Sequence, residues 1–366
     1  MSEGSRWEVD TPAAIVDLDA LERNIARMAE RARAGGVALR PHAKTHKCVT
    51  VARMQLAAGA VGICCAKMGE AEAMAAAGIA DILVTSPCAT PALARRAAAL
   101  KAGGCGLAVV LDHSAGAEAV AKAAEEAGVS LDVLIDVDVG LRRTGVASPE
   151  AAVELWRIIE RSASLRLRGV QGYGGHLQHM VGLELRRDAT IKATDRLRAT
   201  VEALRAAGAE VGVITGGGTG TVQTDIELGL FTELQVGSYV FMDREYRDAL
   251  GDDEDGRFET SFFVQSSVIS ANQKAFVTLD AGLKAFSTDA GPPAATGRHA
   301  GAEYFFFGDE QGGLSRLATA PLNLGDRVEL TAPHIDPTVD RYERLHLCRG
   351  ELVERIVPVE ARGRSA

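Results

Sequence analysis

The amino-acid sequence predicts a parallel (β/α)8 barrel followed by an antiparallel β domain. Between residues 19 and 245, eight short apolar runs of strand-forming residues alternate with alanine-rich helical patterns. After about residue 255, short strand patterns continue without a long helical pattern between them. A doubly wound open sheet is the alternative, since a strand count from a single sequence can be in error.

The elements of the first part follow one another in a regular order. The first helix is expected to have Asp19 as its N-cap and to end at Gly35 and Gly36. The segment between the seventh and eighth strands is too short and glycine-rich for a long helix. The eight expected strands cover residues 37–40, 61–66, 81–85, 107–111, 131–137, 167–173, 211–215 and 234–241. Helical patterns include residues 70–77, 91–100, 115–127 and 185–207.

The C-terminal part is expected to form the β domain. Its strand patterns cover residues 262–264, 275–279, 304–307, 327–330, 345–348 and 352–357, the last two joined as a hairpin across Arg349-Gly350. An N-terminal strand at residues 13–16 is expected to complete this sheet. The predicted domains are residues 19–255 for the barrel and residues 1–18 plus 256–366 for the β domain, with a loose tail at 361–366.

The composition is that of a globular protein and argues against two classes of partner. The chain is 47% hydrophobic, but no run of about 18 apolar residues is present, so no membrane span is expected. The first residues also lack the apolar core of a signal peptide. A net charge of −9 offers no basic patch for nucleic acid. The six cysteines form no CxxC pair, which favours reduced thiols in a cytoplasmic protein.

Polar residues follow the predicted barrel strands where reactive groups gather in such barrels, at the C-terminal ends. Lys44 follows the first strand among basic neighbours that are expected to depress its pKa, as Schiff-base chemistry requires. Arg143 follows the fifth strand and Tyr173 ends the sixth. A glycine run at residues 216–220, containing Thr219, follows the seventh strand, and Gly237-Ser238 lies in the eighth. This placement favours a phosphate site. The simpler alternatives are that Lys44 is a solvated surface charge and that the glycine run is only a tight turn.

A second cluster lies outside the barrel, at His334 and Asp336. The segment is predicted to end a strand, where residues two apart point to the same side. An imidazole and a carboxylate can together hold a divalent cation, with water and substrate completing its ligands. A hydrogen-bonded turn without a metal is the alternative.

These motifs resemble the D-threonine aldolase and D-serine dehydratase family of fold-type III pyridoxal-phosphate enzymes, which are related to alanine racemase. The resemblance runs from about residue 10 to residue 363. The motifs that carry it are Arg40-Pro41-His42-Ala43-Lys44-Thr45-His46-Lys47, the glycine run with Thr219, the segment 233–243, Leu279-Asp280-Ala281-Gly282-Leu283-Lys284 and Pro333-His334-Ile335-Asp336-Pro337-Thr338.

The resemblance implies a role for each matching residue. Lys44 would be the Schiff-base lysine, Tyr173 would face the pyridine nitrogen, and Arg143 would lie close to the cofactor ring. His179 would be the polar group nearest the substrate hydroxyl, and therefore catalytic. The implied phosphate ligands are Thr219, Gly237 and Ser238, with Tyr246 nearby, and the implied metal ligands are His334 and Asp336. Relatives of this fold type are often homodimers, so a homodimer is expected.

Two departures from the family pattern bear on substrate preference. Similar aldolases often have a histidine directly after the strand-six tyrosine, where this chain has Gly174 and offers His176 instead. Gln311 stands where relatives often have histidine.

The resemblance implies retro-aldol cleavage of D-3-hydroxy amino acids to glycine and an aldehyde, with pyridoxal 5'-phosphate and a divalent metal. Asp336 is a hard ligand that favours Mn²⁺ or Mg²⁺, whereas dehydratases of this family tend to pair the metal histidine with cysteine. Dehydration to a 2-oxo acid and ammonia is the alternative reaction. A non-catalytic pyridoxal-phosphate carrier is the alternative class, but such carriers lack the C-terminal β domain.

Overall fold

The computed structural model describes residues 4–251, 253 and 257–366, which are organised around two sheets. In chain order the strands are β1 (Ala13–Asp17), β2 (Ala38–Leu39), β3 (Ile63–Cys65), β4 (Asp81–Pro87), β5 (Gly106–Leu111), β6 (Leu131–Asp136), β7 (Leu165–Gly172), β8 (Val213–Gly216), β9 (Glu233–Leu234), β10 (Phe262–Ser270), β11 (Phe276–Leu279), β12 (Ala294–Ala295), β13 (Tyr304–Phe306), β14 (Gly312–Ser315), β15 (Arg327–Thr331), β16 (Arg344–Arg349) and β17 (Leu352–Pro358). The helices are α1 (Leu18–Ala34), α2 (Val49–Ala57), α3 (Met68–Ala76), α4 (Pro91–Ala102), α5 (Ser114–Glu126), α6 (Pro149–Glu160), α7 (Leu183–Ala206), α8 (Val222–Leu228), α9 (Arg244–Leu250) and α10 (Ile335–Val339).

Strands β2 to β9 form the predicted barrel. Neighbouring strands pair in parallel in the order β2-β9-β8-β7-β6-β5-β4-β3. The ends of this order meet, because the Cys64 N–H donates to the Pro41 carbonyl and the Ala43 N–H donates to the Cys64 carbonyl, both at 2.8 Å. The barrel prediction is therefore confirmed, and the open doubly wound sheet is wrong.

The first helix begins two residues earlier than predicted. Asp17, not Asp19, is the N-cap of α1, and its side chain accepts a hydrogen bond from the Ala20 N–H at 2.9 Å. Asp17 keeps the extended backbone of β1, so the strand passes into the helix without a loop. Asp19 lies in the first turn, where a carboxylate is also favourable. The predicted end at Gly35 is confirmed.

The eighth barrel strand is much shorter than predicted. Regular pairing in β9 ends at Leu234, although Val236 still accepts a hydrogen bond from the His42 N–H at 3.0 Å. A 3₁₀ turn at Ser238–Val240 follows. The apolar side chains that suggested a strand are instead buried between the barrel and the second sheet. This turn presents Ser238 at the C-terminal end of the barrel.

The remaining strands form the second, largely antiparallel sheet. Its order is β13-β14-β11-β10-β1-β16-β17, and β15 pairs with both β10 and β12. The expected N-terminal strand and C-terminal hairpin are confirmed, since β1 lies between β10 and β16 and since β16 pairs with β17. β12 and β14 escaped prediction because one has two residues and the other begins with two glycines, which have low strand propensity.

A shared apolar core joins the barrel to the second sheet. It contains α1 residues such as Met28, the segment after β9 with Phe241, and strand residues such as Phe262 and Leu345. The rings of Phe241 and Phe262 lie 5.5 Å apart. The segment that carries Ser238 and Tyr246 is thereby packed against the β domain. The predicted boundary between residues 255 and 256 lies outside the described residues.

The tail at residues 361–366 is not loose, which corrects the prediction. The Ala361 N–H donates to the Lys47 carbonyl at 3.0 Å, and the Gly69 N–H donates to the Ala366 carbonyl oxygen at 2.8 Å.

Across the described part of the chain, no helix combines the length and apolarity needed to cross a bilayer.

Candidate active site

A cavity of about 550 Å³ opens at the C-terminal end of the barrel. Its size lies within the range of about 300–1,000 Å³ that is typical of small-molecule sites. All seven residues predicted to bind the cofactor line it, namely Lys44, Arg143, Tyr173, Thr219, Gly237, Ser238 and Tyr246. These residues come from the loops after β2, β6, β7, β8 and β9 and from α9, so the barrel topology brings them together.

Lys44 contacts a carboxylate from the other end of the chain. Its Nζ lies 2.9 Å from Oδ2 of Asp336, and its side chain is 37% exposed. The Asp336 carboxylate raises the pKa of Lys44, outweighing the effect of burial. The expectation that basic neighbours depress this pKa is therefore wrong, because spacing along the sequence did not reveal the anion. Burial opposes the charge on Asp336, but Lys44 holds the pKa of that carboxyl at about 2.

The two histidines beside Lys44 are buried and neutral. Burial, together with the charge of Lys44, lowers the pKa of His42 to about 3, and burial lowers the pKa of His46 to about 4. The His42 ring lies 3.0 Å from the Thr85 hydroxyl and lines the cavity, a role the sequence left open. Nδ1 of His46 accepts from the Cys48 N–H at 3.1 Å, which fixes the loop.

Two glutamines complete the cavity lining and were missed by the sequence analysis. Gln171 donates to the Asp136 carboxylate at 2.9 Å, and Gln235 donates to the Gln171 side chain at 3.1 Å. Both side chains are buried at the barrel end and line the cavity. Their positions at the ends of β7 and β9 were the available signal, since strand-end polar residues point toward the site.

The glycine run after β8 packs closely against Gln178. A Cβ at Gly218 would lie 2.3 Å from Oε1 of Gln178, and the Gly220 N–H donates to that oxygen at 2.9 Å. At Gly237, a Cβ would lie 2.8 Å from the Thr45 hydroxyl. These contacts supply a packing reason for the glycines in addition to the expected approach of a phosphate. The Thr219 hydroxyl accepts from the Tyr239 N–H at 3.1 Å, which ties this loop to the turn bearing Ser238.

The expected metal ligands lie at the start of a short helix rather than in a strand. β15 ends at Thr331, His334 is the N-cap of α10, and Asp336 lies in its first turn. The strand-spacing reason for pairing them was therefore wrong, although both residues face the same region. Asp336 raises the pKa of His334, and His334 lowers the pKa of Asp336, so each stabilises the charged form of the other.

Unpartnered polar atoms around this pair fit a cation and its water. Oδ1 of Asp336 and Nε2 of His179 are buried without a hydrogen-bond partner among the described atoms. Nδ1 of His334 lies 2.6 Å from Oδ2 of Asp289, an arrangement that orients a metal-binding imidazole. Burial opposes protonation, but Asp289 raises the pKa of His334. The described residues hold no group of three or more metal-binding side chains, so only a two-residue set is available.

His179 lies between the cofactor cavity and the metal pair. Its ring packs edge-on against Tyr246, with centroids 4.2 Å apart, and its Nδ1 is 3.5 Å from the Glu245 carboxylate. Burial lowers the pKa of His179, so its imidazole is neutral at neutral pH and can accept a proton. His176, which the sequence offered as a substitute histidine, is exposed on a 3₁₀ turn. Asp289 and Glu245 lay in no recognised motif, and no sequence signal identified them.

Two family models match this chain. Residues 16–245 match the alanine racemase N-terminal domain, and residues 261–348 match a putative serine dehydratase domain. The first match spans most of the barrel, and the second covers most of the later sheet.

Several known proteins are similar over most of the chain. 3-hydroxy-D-aspartate aldolase of Paracoccus denitrificans (strain Pd 1222) is 38% identical over 98% of this chain and 93% of that protein. D-threonine aldolase of an Arthrobacter species is 38% identical over 97% of this chain and 93% of that protein. D-threo-3-hydroxyaspartate dehydratase of Delftia sp. (strain HT23) is 38% identical over 77% of this chain and 74% of that protein. The crystal structure of D-threonine aldolase from Filomicrobium marinum has a TM-score of 0.95 at 36% identity, covering 99% of this chain and 98% of that one.

Proposed function

Because this chain belongs to the alanine racemase N-terminal domain family and carries a putative serine dehydratase domain, we propose that it is a pyridoxal-phosphate-dependent carbon–carbon lyase. It would cleave D-3-hydroxy amino acids of the D-threonine type to glycine and an aldehyde. The activities named for two relatives, 3-hydroxy-D-aspartate aldolase and D-threonine aldolase, support this reaction.

One observation carries the proposal at the level of the site. The lysine expected to hold the cofactor lies 2.9 Å from the carboxylate expected to hold the metal. A cofactor attached at Lys44 and a cation at Asp336 would therefore act on neighbouring atoms of one substrate. His179, with its unpartnered Nε2, stands beside them.

The cavity supplies the groups that a pyridoxal phosphate needs. Lys44 would hold it covalently, with Tyr173 and Arg143 at the ring, where the Arg143 guanidinium lies 5.6 Å from the Tyr173 ring centroid. The phosphate ligands would be Thr219, Gly237 and Ser238, with Tyr246 nearby. When bound, the cofactor supplies an electron sink for a bond broken at Cα.

The metal pair and His179 would act on the substrate's β-hydroxyl. His334 and Asp336 would hold a divalent ion, Mn²⁺ or Mg²⁺, which supplies a Lewis acid. His179 would take the hydroxyl proton, directly or through water, because its lowered pKa keeps the imidazole neutral. Glu245, 3.5 Å from the other ring nitrogen, would stabilise the imidazolium that results.

The donor set favours cleavage over dehydration. An imidazole with a carboxylate is a harder set than an imidazole with a thiolate, and it suits Mn²⁺ or Mg²⁺. The similarity to the Delftia dehydratase, over 77% of this chain, keeps loss of water as the competing reaction. Dehydration would yield a 2-oxo acid and ammonia in place of glycine and an aldehyde.

Three further features belong to the same proposal. We expect the domains to divide at residues 19–255 and at 1–18 plus 256–366, with the metal pair on the β domain. We expect a homodimer, as is frequent for this fold type. A cytoplasmic location fits the six free cysteines, five of which are buried.

Product analysis tests the proposed function. The purified protein, loaded with pyridoxal phosphate and Mn²⁺, would be given D-threonine, D-serine and D-3-hydroxyaspartate in separate reactions. Glycine and an aldehyde, lost with EDTA and restored by Mn²⁺, would support the aldolase and the metal together. A 2-oxo acid with ammonia would make the protein a dehydratase. Absence of any product while the cofactor stays bound would favour a carrier.

A further inference from the structure

A single buried carboxylate connects the two halves of the site. Asp243 is completely buried, and its two oxygens accept backbone hydrogen bonds from different helices. Oδ1 accepts from the Tyr246 N–H at 2.9 Å, which caps α9. Oδ2 accepts from the Ile335 N–H at 2.8 Å, at the start of α10. The side chain therefore ties the helix bearing Tyr246, in the cofactor cavity, to the helix bearing Asp336.

The helix that carries the metal pair depends on outside contacts for its position. α10 has five residues, too few for a helix to be stable alone. Next to Asp243, the Arg244 N–H donates to the Ala332 carbonyl at 3.0 Å, and the Glu245 N–H donates to the Pro333 carbonyl at 3.2 Å. These contacts attach the two residues after Asp243 to the segment leading into α10.

The backbone before Asp243 is held in an unfavourable conformation. Met242 has φ of 52°, a left-handed value that is uncommon outside glycine, and it is fully buried. Its N–H donates to the Ser238 carbonyl at 2.7 Å. Such conformations persist where the surrounding structure determines them strongly, often at functional sites. Here the strained residue sets the short path from Ser238, at the phosphate end of the cavity, to Asp243.

We propose that Asp243 is a positioning residue that sets the metal affinity of the site by fixing α10 against the phosphate end of the cofactor cavity. The inference rests on the proposed function, because it takes His334 and Asp336 as the metal ligands. Loss of groups that orient metal ligands typically weakens metal binding by about 10–100-fold. A comparable effect is expected from loss of Asp243, whose two oxygens are both engaged by backbone N–H groups.

Asp243→Asn tests the proposal with little change in side-chain size. An amide offers one acceptor oxygen where the carboxylate offers two, so one of the two backbone contacts is lost. The matched control is Asp248→Asn, the same substitution within α9, the helix that Asp243 caps, at a position 67% exposed to solvent. For each holoenzyme, the dissociation constant of Mn²⁺ would be measured by the electron paramagnetic resonance signal of free Mn²⁺. The visible absorbance would report retained cofactor.

The expected result is a Mn²⁺ dissociation constant raised about 10–100-fold in Asp243→Asn, with cofactor retained and turnover largely recovered at high Mn²⁺. Asp248→Asn should bind Mn²⁺ as the unmodified protein does. An unchanged Mn²⁺ dissociation constant in Asp243→Asn, or an equal weakening of Mn²⁺ binding in Asp248→Asn, would overturn this inference and leave the proposed function standing. Failure of the unmodified holoenzyme to bind Mn²⁺ would overturn the metal part of the proposed function as well.

A second variant tests the same contact if Asp243→Asn does not yield folded protein. Ile335→Pro removes the N–H that donates to Asp243 and leaves the capping of α9 in place. Proline is accommodated at the first position of a helix, and the extended backbone of His334 suits a residue that precedes proline. The same weakening of Mn²⁺ binding is expected, and its absence would count against the proposal.

Discussion

The ammonium of Lys44 and the carboxylate of Asp336 form an ion pair, with Nζ 2.9 Å from Oδ2. Lys44 follows the first strand of the barrel, and Asp336 comes from the helix after β15. The contact is possible because the start of α10 is attached to Asp243, just after the last barrel strand and its 3₁₀ turn. The carboxylate expected to bind the cation therefore stabilises the charged form of the lysine expected to bind the cofactor.

Asp336→Asn should speed the uptake of pyridoxal phosphate by the metal-free protein. Only the neutral amine attacks the cofactor, and Asp336 raises the pKa of Lys44 above its ordinary 10.5. Removing a neighbouring opposite charge commonly moves a pKa by about 1–3 units. The neutral fraction of Lys44 at pH 8, and with it the uptake rate, should therefore rise by about tenfold or more. The growth of visible absorbance measures this rate. Asp248→Asn is the control, and equal rates in all three proteins would refute the electrostatic link.

His179→Gln should lower kcat by roughly 10²–10⁴-fold, the usual contribution of a general base. Burial lowers the pKa of His179 from 6.5, and the base must be neutral to act. The kcat/KM of the unmodified enzyme should therefore fall only as the pH drops below 6.5, and the variant should lack this acid limb. His176→Gln, on the exposed turn nearby, should leave the profile unaltered. A retained acid limb in His179→Gln would assign the proton to another group.

Arg40→Met should destabilise the barrel by about 3–5 kcal/mol, as expected when one partner of a buried ion pair is removed. The buried guanidinium of Arg40 donates to Glu233, at the start of β9, at 2.7 Å and 3.1 Å and to Asp81, at the start of β4, at 2.6 Å. Its loss leaves Glu233 buried and unpaired. Chemical denaturation of the variant measures the free energy of unfolding.

The control for Arg40 is an exposed ion pair on α1. Arg33 pairs with Glu30, and both side chains are 69% exposed. Arg33→Met should change the free energy of unfolding by no more than about 0.5 kcal/mol. Adding Glu233→Gln to Arg40→Met should recover part of the loss, since the unpaired charge is removed. A double variant as unstable as Arg40→Met would show that packing, and not the uncompensated charge, dominates.

The sequence predicted the parts of the site that barrel topology determines. Strand ends can be located from apolar patterns, and parallel strands bring their C-terminal ends together, so Lys44, Arg143 and Thr219 were placed correctly around one cavity. The end of β9 was misjudged because the residues after Gly237 are as apolar as a buried strand. They are buried in a 3₁₀ turn by the adjoining sheet instead.

The missed features depend on contacts between distant parts of the chain. Asp289 orients His334, and Asp243 joins two helices through its two oxygens, yet neither lies in a pattern with chemical meaning of its own. The sequence analysis expected a lowered pKa for Lys44, and this expectation was wrong for the same reason. The main cause of the raised pKa is a carboxylate far away in sequence. Local periodicity specifies elements, whereas side-chain electrostatics follow from the three-dimensional packing.

The proposed function depends most directly on which lysine holds the cofactor. Borohydride reduction of the pyridoxal-phosphate-loaded protein, followed by peptide mass spectrometry, identifies the lysine that holds the cofactor. We expect the reduced adduct on Lys44, and we expect both the adduct and the visible absorbance to be lost in Lys44→Ala. An adduct on Lys47 or Lys67, or unchanged absorbance in Lys44→Ala, would contradict the assignment of Lys44 as the Schiff-base lysine.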